Sequence, residues 1–179
     1  MTCIVGLVED GKVYIGGDSA SVADKFDLAI RADEKVFRNG DYVMGFTSSF
    51  RMGQLLRYAF NPPVPEEGED INRFMVTRFI DAVRQCLKDG GYASKKDETE
   101  SAGTFLVGYK SHLFEIYSDY QVGIPADGYT AVGCGDQPAK GALFAAGDMP
   151  PGNKVLLALM AAENFSAGVK RPFIVLQTE

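Results

Sequence analysis

The order in which the apolar periodicity changes along the chain limits its fold more than any single motif does. Strand-like patterns fill the N-terminal quarter, helical spacing then takes over, strands return, two more helical stretches follow, and one short strand closes the chain. This blockwise order does not suit a parallel sheet in which strands and helices alternate. It suits stacked layers, and two antiparallel sheets held between two pairs of helices satisfy it. No linker, repeat or low-complexity tract divides the 179 residues, so a single domain over residues 1–179 is expected, long enough to bury a sizeable core.

The elements can be placed roughly. Cys3 to Val8 and Val13 to Gly17 read as a hairpin turned by Glu9-Asp10-Gly11-Lys12. Ala29 to Phe37 and Asp41 to Thr47 read as a second hairpin, turned at Asn39-Gly40. Met52, Leu55, Leu56, Ala59 and Phe60 then fall at helical spacing behind a cap at Ser48 or Ser49. Asn61-Pro62-Pro63-Val64-Pro65 ends that helix, and the acidic run Glu66 to Asp70 extends a solvated loop. A longer helix from Ile71 to Lys88 carries Val76, Phe79, Ile80, Val83 and Leu87 on one face and stops at Gly90-Gly91. The polar segment Ala93 to Ala102 reads as a loop. Gly103 to Tyr109, Leu113 to Tyr117 and Tyr129 to Val132 read as strands, with His112 in a turn. Gln137 to Ala146 and Asn153 to Phe165 read as helices, the second with Val155, Leu156, Leu159 and Met160 inward, before a closing strand from Phe173 to Leu176.

Composition narrows the function. Lys plus Arg is 18 against 24 Asp plus Glu, a net charge of −6, and the basic residues are scattered, which argues against a nucleic-acid partner. Three cysteines without paired spacing and one histidine offer neither a disulfide framework nor a metal site, and no cofactor motif is visible. Ile4 to Val8 is too short for a signal-peptide core, and no run approaches the ~20 apolar residues that span a bilayer. A reducing cytoplasm with free thiols is the expected compartment.

Thr2 follows the initiator methionine, in the run Met1-Thr2-Cys3-Ile4-Val5-Gly6. Removal of Met1 leaves a hydroxyl and a primary amine on one residue, a nucleophile with its own base. Many proteins have a small second residue without using it, so the context must decide. An aspartate at the end of one strand and a lysine at the start of another, Asp18 and Lys35, are by themselves more often an ordinary ion pair than a catalytic one.

Several separated motifs together resemble the proteasome β-subunit family of N-terminal nucleophile (Ntn) hydrolases, with the bacterial HslV-type and ancestral β-subunit peptidases. They are Thr2 with Ile4-Val5-Gly6, Val13-Tyr14-Ile15-Gly16-Gly17-Asp18-Ser19, Lys35-Val36-Phe37-Arg38, Gly45-Phe46-Thr47-Ser48-Ser49, and Gly133-Cys134-Gly135-Asp136 with Ala139 and Leu143. The loop from Asp18 to Lys35 is one residue longer than the family pattern. The resemblance implies an α+β, four-layer αββα sandwich, with two antiparallel sheets between two helix layers. It implies a threonine-type endopeptidase in which Thr2 is the nucleophile and its amine the general base. Lys35 is the adjacent cation, Asp18 holds it, and the Ser49 amide is the oxyanion donor. Ser21, Asp33, Phe37, Thr47 and Arg51 are implied to line the pocket for the residue before the cut, where Asp33 and Arg51 could pair.

The same resemblance implies peptide or unfolded-protein substrates, self-association into a ring or related oligomer, and room for an ATP-dependent unfoldase partner. Three departures stand out. Ser48-Ser49 replaces two glycines, Cys134 replaces a serine beside the nucleophile, and no late aspartate-serine pair is visible, leaving Glu163, Asn164 or Ser166 as stand-ins. Cys3 is an alternative nucleophile. Two other readings remain open at this stage: a non-catalytic structural subunit with Met1 retained, and an Ntn amidase acting on a small amide.

Overall fold

The computed structural model of the protein describes residues 1–23, 27–96 and 99–179. Among these, β1 (Cys3–Glu9) and β2 (Lys12–Gly17) form the first hairpin, as expected. The stretch Ala29 to Phe37 is not one strand. It divides into β4 (Leu28–Ile30), which pairs with β3 (Ala20–Val22) in a small ribbon, and β5 (Val36–Asn39), which pairs with β6 (Tyr42–Phe46). The one-residue insertion expected between Asp18 and Lys35 lies in a stretch that includes 24–26, outside the described residues.

The β5–β6 turn is one residue later than Asn39-Gly40, because Asn39 pairs with Tyr42 and leaves Gly40-Asp41 as the loop. Asn39 is held in the strand by its own amide, which donates to the carbonyls of Leu56 and Phe60 at 2.9 Å each and so closes the end of α1 (Phe50–Tyr58). The long second helix begins as α2 (Ile71–Phe74), widens into a π-turn over Met75–Phe79, and continues as α3 (Ile80–Asp89). The π-turn inserts an extra residue into the repeat. It therefore puts Phe74 and Met75 inward and leaves Val76, expected inside, 53% exposed.

Part of the segment expected as a loop is a short ribbon of β7 (Ser94–Lys96) and β8 (Thr99–Ser101), whose tip at 97–98 lies outside the described residues. Then follow β9 (Phe105–Tyr109), β10 (His112–Ile116), β11 (Val122–Gly123) and β12 (Tyr129–Gly133). His112 opens β10, exposed and paired with Tyr109, and is not in the turn. The chain ends with α4 (Asp136–Ala145), α5 (Pro151–Phe165) and β13 (Ile174–Gln177).

The described strands assemble two antiparallel sheets, β12-β1-β2-β13 and β11-β10-β9-β6-β5, which stack on each other. Three cores follow from strand alternation. Ile4, Val13 and Ile15 face Val43, Leu106 and Leu113 between the sheets. Cys3, Val5 and Leu7 turn outward under α4 and α5. Met44, Phe105 and Val107 turn outward under the α1–α3 layer. Helix, sheet, sheet, helix is the α+β, αββα sandwich expected from the block order. On α5 the buried residues are Val155, Ala158, Leu159 and Ala162, while Leu156 and Met160 face outward. Alanines fill the inner face because the helix lies close against β1 and β2. Among the described residues no helix is long and apolar enough to cross a membrane.

Candidate active site

One end of the sandwich gathers the sequence-marked residues because each lies at the end of an element. β1 pairs Ile4 with Gly17 on one side and Cys3 with Gly133 on the other. That register sets Thr2, Asp18 and Cys134 side by side. Gly133 has φ +101, and a Cβ there would run into the Thr2 carbonyl, so the close approach requires glycine. Lys35 enters from the head of β5 in the facing sheet.

The central chain of contacts is short and buried. The Lys35 ammonium donates to Thr2 Oγ1 at 2.9 Å and to Asp18 Oδ1 at 2.9 Å. Thr2, Asp18 and Lys35 are 5%, 2% and 2% exposed. Asp18 is fixed by backbone donors as well: Cys3 N–H to Oδ1 at 3.0 Å, and Ala20 N–H and Lys170 N–H to Oδ2 at 2.9 and 3.3 Å. Four donors on one carboxylate hold the anion without water, as a buried charge requires. Burial pushes the Lys35 pKa below the ordinary lysine value, and the Asp18 charge and hydrogen bond oppose that fall. The lysine thus holds its proton less firmly than a surface lysine does.

Cys134 touches the Thr2 nitrogen. Thr2 N–H donates to Cys134 Sγ at 3.3 Å, and the Ser166 hydroxyl donates to the same sulfur at 3.2 Å. Of the three stand-ins for the late pair, Ser166 is the one that reaches the site. Glu163 is bound to Arg171 at 2.6 Å and Asn164 is exposed. The Cys3 thiol faces the core under α5, and burial drives its pKa far up, which disfavours the thiolate a cysteine nucleophile needs. With Met1 attached, the Thr2 nitrogen is an amide, and Thr2 Oγ1 donates to the Met1 carbonyl at 2.5 Å.

The turn from β6 into α1 differs from expectation in one respect. Ser49 caps α1, but its backbone N–H donates to the Thr47 carbonyl at 2.7 Å across a γ-turn centred on Ser48, whose φ is +65. A positive φ at a non-glycine residue costs about 1–3 kcal/mol, and the positive-φ γ-turn is the rare form. Ser48 is held there by its side chain, which accepts from Thr104 N–H at 3.2 Å and meets Thr47 Oγ1 at 3.1 Å. The amide expected to receive an oxyanion is therefore satisfied internally in this state.

The five expected pocket residues separate. Ser21 and Thr47 line the cavity beside Thr2, together with Val22, Ser48 and Phe50. Asp33 lines an adjoining cavity. Phe37 is 2% exposed and packs under the helices, because it alternates with inward-facing Val36 on β5. Arg51 donates from Nη2 to the Gly90 carbonyl at 3.1 Å, at the end of α3. It does not pair with Asp33, which is gripped by Arg31 through two hydrogen bonds of 2.6 Å that hold its carboxyl below the usual carboxylate range. The contribution of Phe50 was invisible in the sequence, where it reads as an apolar residue at a helix start. Among the described residues no group of three or more His, Cys, Asp or Glu could hold a metal ion.

No protein-family model matches the chain, and no curated protein matches it in sequence. Its fold has clear counterparts among solved structures. BPH from Thiobacillus denitrificans, in complex with epoxomicin, superposes with a TM-score of 0.81 at 21% identity, over 99% of this chain and 98% of that one. Eukaryotic HslV from Trypanosoma brucei gives 0.69 at 19% identity, over 99% of both chains. A Gly-1 mutant of Anbu from Hyphomicrobium sp. strain MC1 gives 0.70 at 16% identity, over 100% of this chain and 82% of that one. The chain thus has the fold of the proteasome-β-like Ntn hydrolases over its whole length.

Proposed function

We propose that the chain is a threonine-type peptidase subunit that acts once Met1 is removed. The observation that carries this reading is the buried contact chain Thr2 Oγ1–Lys35 Nζ–Asp18 Oδ1, at 2.9 Å per link. An ammonium kept out of water beside a threonine hydroxyl favours its alkoxide. Loss of Met1 turns the Thr2 nitrogen from an amide into an amine able to accept the hydroxyl proton. Thr2 Oγ then attacks a peptide carbonyl carbon, and the C–N bond breaks as the amine returns the proton to the leaving nitrogen. The resulting ester is cleared by water, activated by the same amine. Cys134 and Ser166 are placed to orient that amine. For the Ser49 N–H to serve the oxyanion, the Ser48–Ser49 peptide must turn away from Thr47. Self-association, with the catalytic ends enclosed, belongs to the same proposal, and an unfoldase partner is compatible with it.

The second reading, a structural subunit that keeps Met1, is favoured by one contact, the Ser49 N–H on the Thr47 carbonyl, which occupies the expected oxyanion donor. Intact mass of the purified protein together with hydrolysis of fluorogenic peptides separates the two. The peptidase reading expects a mass lacking Met1, turnover that epoxomicin blocks, and loss of turnover by at least ~10³-fold in Thr2→Ala, the scale on which removal of a nucleophile acts. Quantitative retention of Met1, or equal turnover by wild type and Thr2→Ala, defeats it.

A further inference from the structure

The space beside Thr2 is short, and two phenylalanines set its depth. It amounts to about 70 Å³ while Met1 is among its lining residues, and removal of Met1 leaves Phe46 and Phe50 as its aromatic walls. Phe46 and Phe50 close it, and their other sides wall a second cavity of about 160 Å³ that runs to Asp33, Glu34, Arg57 and Tyr58. Neither ring is free to swing aside. The rings meet edge to face with centroids 5.6 Å apart at 82°. Phe46 lies flat on α1 at Gly53, where any Cβ would fall inside the ring. The Arg31 guanidinium covers Phe50 at 4.0 Å from its centroid, a cation–π distance, and Asp33 holds that guanidinium through its two hydrogen bonds. Lys35 Nζ lies 5.8 Å from the same centroid, so the partition stands directly beside the nucleophile.

Resting on the peptidase reading, we propose that Phe50 sets the cleavage specificity. It limits the length of the side chain before the cut, and the cavity behind it is the closed-off remainder of a longer pocket. The space that Thr2 shares with Phe46 and Phe50 lies beside the nucleophile, and on this proposal it receives the side chain before the cut. Alanine fits there, and the branched end of leucine meets the Phe50 ring. Each methylene a pocket cannot admit is worth about 10–200-fold in kcat/KM. Leucine exceeds alanine by three carbons, so it is excluded by at least ~10-fold on that scale. Truncating Phe50 joins the two cavities. The opened space is walled by Phe46, Gly53, Gln54 and Tyr58, with Asp33 already committed to Arg31 and Glu34 facing Arg57 at 3.7 Å. Phe46, Gly53 and Tyr58 give the opened space an apolar wall beside paired charges, so the side chain it gains is a longer one that packs on that wall.

The test is kcat/KM on matched fluorogenic peptides with Ala or Leu before the reporter. It uses wild type, Phe50→Ala and the milder Phe50→Val, each with its thermal melt recorded and Met1 loss confirmed by mass. The expected result is that wild type favours Ala by at least ~10-fold, and that both variants lower the Ala/Leu ratio, Phe50→Ala by at least ~10-fold. A wild-type preference for Leu overturns the proposal, as does a ratio unmoved in either variant that melts cooperatively. Those outcomes leave the peptidase reading standing. Absence of turnover on every peptide by a Met1-free wild type overturns that reading, and this proposal with it.

Discussion

Lys35 and Asp18 define what can be tested one residue at a time. The proposed mechanism needs the Thr2 amine neutral, so kcat rises as pH passes through that amine's titration, which burial and the Lys35 ammonium set below the value of a free α-amine. It also needs Lys35 as an ammonium. Burial sets the Lys35 pKa below the ordinary lysine value. The alkaline fall in kcat therefore begins below the ~10.4 of a free lysine, giving a narrow bell. Asp18 is the charge that raises the Lys35 pKa against burial, so Asp18→Asn moves the alkaline limb further down and narrows the bell. It also leaves buried partners unmatched, at a cost on the order of 3–5 kcal/mol in stability. A pH–rate profile of kcat for the two proteins checks both, and an alkaline limb at or above 10.4 in wild type or an upward move in the variant refutes the assignment. These residues were legible because each lies where a strand ends, and the pairing of strands brings such ends together. The direction of the Ser49 N–H and the partners of Asp33 and Arg51 were not. They depend on the φ of Ser48, on Arg31 two residues away, and on the Gly90 carbonyl at the end of α3, a neighbour that only the tertiary structure supplies.

At the scale of elements, glycine content separates close packing from slack. Gly16 on β2 lies directly beneath α5, where an added Cβ would collide with Val155 and reach Leu159 at 3.0 Å. Gly16→Ala must push the helix off the sheet, and overpacking of this kind costs about 1–3 kcal/mol. Gly141 lies inside α4, exposed, with nothing within 4 Å of its added Cβ. Gly141→Ala should stabilise by about 0.5–1 kcal/mol through helix propensity alone. Urea midpoints of the two variants should fall on opposite sides of wild type, and equal shifts would show that α5 does not bear on β2 as described. The same contact explains which elements were readable. β1, β6 and β9 are buried on both faces, so they are apolar runs whose place needs no fine period. The inner face of α5 was misread because close approach to the sheet selects Ala158 and Ala162, and the bulkier Leu156 and Met160 mimic a core stripe. Val76 was misplaced because a π-turn breaks the 3.6-residue period, and nothing in the apolar pattern announces one.

The whole molecule leaves apolar surface that a lone subunit has no use for. On and beside the outer faces of α4 and α5, Phe144 is 83% exposed, Phe165 77%, Met160 51% and Met149 43%. Apolar side chains exposed together on one layer are the kind of surface through which subunits can meet. If the catalytic ends are enclosed, as the peptidase proposal holds, this layer is a surface through which subunits meet, either as a self-complementary patch that closes a two-fold pair or as one half of a head-to-tail contact that closes a ring. Phe144→Glu and Phe165→Glu are then opposite in effect to core substitutions. They leave the monomer's stability within about 0.5 kcal/mol, because the side chains touch little of their own chain. They dissociate the assembly, because each puts a carboxylate into an apolar contact. Sedimentation velocity should show wild type at a multiple of the 19.4 kDa chain and the variants near one chain mass, with unchanged melting of the isolated subunit. Wild type sedimenting as a single chain at tens of micromolar would refute self-association through this layer. It would also return the open-amidase reading to consideration, since a monomer cannot screen its substrates by enclosure.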